Sequence, residues 1–221
     1  MPRFASTPNP ASLSSYRLAI ELDQSIIDEI LALDESMWTK GSSAKHRQCS
    51  AIHFGLPSPR FPAMQYRGST RLGSLESKII AALKRTDAVF TSITINRYSV
   101  GQHMLEHIDH NLPEWPMQTL FVFGEFTGGD LRIGSGLVHG NGCFRINGNV
   151  SHEVQVVEAG TRYSIVSYAK NLSTKTNPNR IVDLLARGYP LPMGTDDMPL
   201  PNIPMPCFAS VAQDLSIFMR Y

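Results

Sequence analysis

AVFTSITINRYS (88–99), MQTLFVFGEF (117–126), DLRIGSG (130–136), CFRI (143–146), HEVQVV (152–157) and TRYSIVSYA (161–169) follow one another between Ala88 and Lys170. Each run is short, and most are rich in β-branched or aromatic residues and bounded by turn formers, the texture of strands. The pairs Gly128-Gly129, Asn141-Gly142 and Asn147-Gly148 predict hairpin-type turns. Many short strands at this spacing define an all-β sandwich or barrel.

Outward from that core the pattern changes period. Ile26, Ile27, Ile30, Leu31 and Leu33 fall near helical spacing, which predicts a helix over 24–37 with Asp23 or Ser25 as its cap. Leu75, Ile79, Ile80 and Leu83 predict a second helix over 74–85, with Lys84 and Arg85 at its negative end. A third helix is expected after Asn177, with Pro178 in its first position and Gly188 and Pro190 beyond its end. The six prolines of 190–206 exclude a regular element, and the apolar residues among them predict an arm packed on the core. Residues 1–20 read as a loose tail and 21–221 as a single domain, with its β core at about 88–170. The class is α+β.

Composition narrows the function classes. Of 221 residues, 42% are hydrophobic and 18% charged, which is globular rather than disordered. No apolar run approaches the ~18 residues that span a bilayer. Residues 1–15 lack the apolar stretch of a signal peptide. The three cysteines, Cys49, Cys143 and Cys207, form no C-x-x-C pair, so free thiols in an intracellular protein are expected.

Three features inside the β region make chemical sense together. In His107-Ile108-Asp109, residues i and i+2 of a strand face the same way, so an imidazole and a carboxylate can share one metal ion. His152 opens a later strand, and two His with one carboxylate form the set that holds non-haem Fe(II) with open positions. Arg162 and Ser164 share a face of the next strand, where a guanidinium and a hydroxyl suit the far carboxylate of a dicarboxylic acid. Each piece alone is common; their order carries the information. The same trio would suit Zn(II) in a hydrolase, but that leaves Arg162 and Ser164 without a role. Glu106 would point to the other face. Gly134-Ser135-Gly136 lacks the third glycine and following helix of a nucleotide loop.

On these residues the sequence resembles the Fe(II)/2-oxoglutarate-dependent oxygenases, across roughly residues 94–168. The resemblance implies a double-stranded β-helix, or jelly roll, flanked by the N-terminal helices and by a C-terminal helix with its proline-rich arm. It implies His107, Asp109 and His152 as iron ligands. Arg162, assisted by Ser164, would be the anchor of the 2-oxoglutarate distal carboxylate. Asn96-Arg97-Tyr98 resembles a strand whose Asn96 and Tyr98 approach the cosubstrate, and Gly128-Gly129-Asp130-Leu131 resembles a structural turn of the superfamily. The implied reaction consumes 2-oxoglutarate and O2, releases succinate and carbon dioxide, and hydroxylates a C–H bond. INRYSVGQHMLEHIDHN (95–111), FTGGDLRI (126–133) and HEVQVVEAGTRYSIVSYA (152–169) look most like the TET/JBP branch, the thymine and 5-methylcytosine oxygenases. The chain departs from that branch at Leu112, where an Asn or Asp often stands three residues past the metal Asp; Asn111 lies two past it. It departs from the AlkB type at Tyr168, where a second Arg is usual. Prolyl hydroxylases stay compatible.

The net charge of +1 hides its layout. Residues 40–86 hold nine Lys and Arg against one acid, Glu76, a net +8, which leaves −7 for the remainder. Such a segment suits phosphate contacts, and His53, Phe54, Phe61 and Tyr66 within it could stack on a flipped base. The expected function is oxidation of a methyl group on a DNA base, 5-methylcytosine to 5-hydroxymethylcytosine. DNA is the expected partner and the nucleus the corresponding location. A hydroxylase of a protein side chain or small molecule, and a jelly roll that binds a ligand without turnover, are the alternatives.

Overall fold

A computed structural model describes residues 15–40, 48–56, 71–109, 115–170 and 178–192. Its core is two facing antiparallel sheets. The larger holds, in order, β1 (Ser15–Leu18), β10 (Gly142–Asn147), β6 (Met117–Phe123), β13 (Arg162–Tyr168), β4 (Ser92–Tyr98), β3 (Ser50–Gly55) and β2 (Thr39–Lys40). The smaller holds β5 (Met104–His107), β11 (His152–Val154), β8 (Leu131–Ile133) and β9 (Gly136–Val138). β12 (Val157–Gly160) pairs with β7 (Phe126–Gly128) beside it. From β4 to β13 the chain passes repeatedly between the larger and the smaller sheets. That alternation is the double-stranded β-helix expected from the sequence.

Period-two alternation sorts the large sheet's side chains. Odd-numbered Ile93, Ile95, Phe121, Phe123 and Ile165 face outward onto the helices α1 (Gln24–Leu31) and α2 (Gly73–Lys84), in one cluster with Ile26, Ile30, Leu75, Ile79 and Leu83. Each fully buried aliphatic of this kind contributes about 1.5–3 kcal/mol. The even-numbered Tyr98, Leu120, Val122, Phe144 and Ile146 face the small sheet and pack with Met104, Leu131, Ile133 and Val154. The functional residues occupy this inner face.

Several expectations need correction. The first helix ends at Leu31, not Met37; a separate 3-10 turn, Glu35–Met37, follows, capped by the Asp34 side chain accepting from the Ser36 amide. Asp23 is the N-cap of α1 by backbone position, but its side chain pairs with Arg85 instead of capping. The second helix matches its predicted span within one residue at each end. Gly128-Gly129, Asn141-Gly142 and Asn147-Gly148 are not hairpin turns; they carry the chain from one sheet to another. Gly128 and Gly129 have φ of +67° and +64°, so the backbone swings out of plane rather than folding back on its own strand. The hairpin between β8 and β9 turns at Gly134-Ser135, within the stretch already set aside as a nucleotide loop. The C-terminal helix, α3 (Pro178–Ala186), is present; Asn177 lies outside the described residues. Of the proline-rich arm only its start is described, where Tyr189 and Leu191 join the outer core. Of the loose tail expected over residues 1–20, Ser15–Leu18 instead form β1, paired with β10 at the edge of the larger sheet. Residues 1–14 and Cys207 lie outside the described residues, and the Cys49 and Cys143 thiols are buried.

Candidate metal centre

His107 ends β5 and His152 opens β11, and the two are register partners across the strands. Pairing places their rings 4.3 Å apart, centroid to centroid. Asp109 lies just beyond the end of β5, not on the strand as expected. Its amide donates to the Gly148 carbonyl at 2.9 Å, which brings the carboxylate round to the two rings. One ligand atom from each of the three residues lies within 4.8 Å of the others.

The chemistry of this donor set fits a divalent metal. His107 Nδ1 donates to the Leu105 carbonyl at 2.9 Å, and His152 Nδ1 to the Val150 carbonyl at 2.8 Å. A carbonyl only accepts, so the proton of each neutral ring sits on Nδ1 and Nε2 presents its lone pair. This is the usual way in which a backbone carbonyl orients a ligating imidazole. Asp109 Oδ1 is 3.7 Å from His107 Nε2, and Oδ2 is 3.7 Å from His152 Nε2. Those gaps are too long for hydrogen bonds and would suit donors that share one ion, each about 2 Å from it. Two imidazoles and a carboxylate suit Fe(II) with open positions.

The trio opens into a cavity of about 220 Å³ between the sheets. Arg162 lines it from the large sheet, as do Asn96 and Tyr98. Arg162 is 2% exposed, and Nε and Nη1 have no hydrogen-bond partner. Burial pushes its pKa below the ordinary guanidinium range, opposed by Tyr98 and Asp130. The guanidinium lies 5.3 Å from the Tyr98 ring centroid and 5.9 Å from that of Phe126. A buried cation with unmet donors is costly, and a carboxylate is the group that meets both needs. Ser164, two residues along β13 from Arg162, is buried, and its hydroxyl accepts from Asn96 Nδ2 at 3.4 Å; it is not among the cavity's lining residues.

Four further polar residues line the cavity without having been singled out for the site: Thr94, Gln118, Tyr168 and Lys170. Gln118 donates from Nε2 to Asp109 Oδ2 at 2.8 Å. Its signal in the sequence was present, since Gln118 shares the period-two face of Leu120 and Val122 and a glutamine on a core face is unusual. Thr94 Oγ1 lies 2.9 Å from both the Tyr168 hydroxyl and His53 Nδ1. Glu106 faces away, as expected, and accepts from Ser151.

The basic segment 40–86 is only partly described. Phe54 is fully buried in the outer core and cannot stack on a base. Phe61 and Tyr66, with Lys45, Arg47, Arg60 and Arg67, lie outside the described residues, as do His110 and Asn111. Among the described residues no helix is long and apolar enough to cross a membrane.

No family model matches the sequence, and no curated protein matches it. Solved structures do resemble it. An oxidoreductase of the 2OG-Fe(II) oxygenase family from Burkholderia pseudomallei is 16% identical, covering 72% of this chain and 85% of its own, with a TM-score of 0.49. A prolyl-4-hydroxylase from Pseudomonas putida is 14% identical over 73% of this chain and 95% of its own, at 0.48. NgTET1, in complex with 5mC DNA, is 16% identical over 74% of this chain and 73% of its own, at 0.47. These likenesses are too distant to transfer residue roles.

Proposed function

We propose that this protein is an Fe(II)/2-oxoglutarate-dependent dioxygenase that oxidises the methyl group of a modified base in DNA, 5-methylcytosine to 5-hydroxymethylcytosine. One observation carries the enzyme class: His107, Asp109 and His152 converge in the same inter-sheet cavity as the buried, under-bonded Arg162. His107 and His152 would hold the metal through Nε2, and Asp109 through its carboxylate. Arg162 would receive the distal carboxylate of 2-oxoglutarate, with Tyr98 and Phe126 fixing the plane of the guanidinium. Asn96 and Tyr98 form the wall beside it. Leu120, Leu131, Ile146 and Val154 give the cavity an apolar lining that excludes water from the reacting groups. Fe(II), 2-oxoglutarate and O2 would supply the oxidising chemistry, and the chain supplies position and orientation.

The DNA reading rests on charge layout, a net +8 over residues 40–86 in a chain of net +1. It corresponds to the TET/JBP resemblance and to a nuclear location. The test is incubation of purified protein with Fe(II), 2-oxoglutarate and 5-methylcytosine-containing duplex, with base products read by mass spectrometry. Oxidised cytosine that disappears in His107→Ala and Asp109→Ala supports the proposal. Succinate without oxidised base would overturn the DNA assignment and point to a protein side chain or small molecule.

A further inference from the structure

We infer that Gln118 is a positioning residue for the metal centre, kept at the expense of the metal-free fold; this rests on the reading of His107, Asp109 and His152 as metal ligands. Gln118 stands on β6 opposite Ile146 and is 1% exposed. Its Nε2 donates to Asp109 Oδ2 at 2.8 Å. An ionised carboxylate only accepts, so this contact assigns the amide orientation and leaves Oε1 as the remaining polar atom. That oxygen is buried and has no partner. A buried orphan acceptor destabilises a fold, and its presence calls for an explanation.

The explanation lies in what the other end of the amide does. Asp109 follows the end of β5, where no strand pairing holds its side chain, and that side chain is 36% exposed. Left to itself the carboxylate would rotate in water. The Gln118 donor fixes that rotation, so that each oxygen lies 3.7 Å from one imidazole Nε2. An apolar residue at 118 would continue the Leu120 and Val122 face and remove the orphan. It would also release Asp109. The two demands oppose each other, and the glutamine satisfies the metal centre.

Gln118→Met and Gln118→Leu separate the two demands. Metal-free protein is melted, and Mn(II) or Co(II) is titrated calorimetrically without cosubstrate. The expected result is a metal dissociation constant raised about 10–100-fold, with a metal-free melting temperature equal to or above that of the parent. Unchanged metal affinity in the variants would overturn the inference. So would a lowered metal-free melting temperature or failure to fold, which would make Gln118 structural. A parent protein that binds no metal would instead overturn the reading of the trio itself.

Discussion

The guanidinium of Arg162 lies 5.3 Å from the ring of Tyr98, its register partner on the adjacent strand. The pairing holds a cation at 2% exposure with two nitrogens unbonded. In the proposed role such a group would be a receptor whose desolvation has already occurred, so a dicarboxylate that reached it would meet an oriented donor set rather than a hydrated one.

Arg162→Met is therefore expected to weaken 2-oxoglutarate binding by about 2–5 kcal/mol, the cost of truncating one partner of a buried, hydrogen-bonded charge pair. Metal affinity should stay within a few-fold, because Arg162 is not among the three residues proposed as metal ligands. Calorimetric titration of the Mn(II)-loaded protein with 2-oxoglutarate measures both. Unchanged 2-oxoglutarate affinity would mean that the anchor lies elsewhere.

Gly129 has a φ of +64°, and a Cβ there would meet Val157 Cγ2 at 2.9 Å and Arg162 Cδ at 3.0 Å. Gly129→Ala should cost about 1–2 kcal/mol from the left-handed backbone alone. It should also weaken 2-oxoglutarate binding by displacing Arg162. Urea unfolding and the same titration check the two effects; a variant that loses stability and keeps full 2-oxoglutarate affinity would show that Arg162 accommodates the added carbon.

Glu76 is 2% exposed on α2 and accepts from the Tyr189 hydroxyl at 2.6 Å and from Arg187 Nη1 at 3.3 Å. Burial, followed by the Glu76 charge, pushes the tyrosine pKa far up, so Tyr189 stays a donor throughout the working pH range. Tyr189→Phe removes that donor and should destabilise by about 1–3 kcal/mol, read as a lower urea midpoint at constant slope. An unchanged midpoint would mean that Arg187 and the other groups around Glu76 satisfy the carboxylate without Tyr189.

DNA binding by the +8 segment should weaken steeply as salt rises, since each neutralised phosphate releases counterions. Fluorescence anisotropy of a labelled duplex across a salt series gives the slope. A flat dependence would remove the phosphate contacts from the account.

Strands β4, β6 and β13 were legible because alternation of β-branched and aromatic residues is a local signal, and Arg162 was legible because it sits on one of them. His107 ends Met-Leu-Glu-His, which lacks that signal, and was read from its spacing to Asp109. β1, β2 and β3 lie outside the β core expected at 88–170. What the turns connect was not. Gly128-Gly129 advertises a turn through its backbone freedom, but whether the chain rejoins the same sheet depends on distant pairing partners. Asp109 was found by spacing for a reason that the structure revises. It reaches the site through Gly148 and Gln118 rather than through strand geometry. Phe54 looked available for stacking only because the helices that cover it lie elsewhere in the chain.

The central claim is that His107, Asp109, His152 and Arg162 form one working oxygenase site. Its most direct test is succinate release from 2-oxoglutarate under O2, with and without Fe(II), in the parent protein and in His107→Ala, Asp109→Ala and Arg162→Met. The account predicts iron-dependent succinate in the parent and its loss in both ligand variants. It also predicts recovery in Arg162→Met only at much higher 2-oxoglutarate. Succinate formed without iron, or undiminished in the ligand variants, would contradict it.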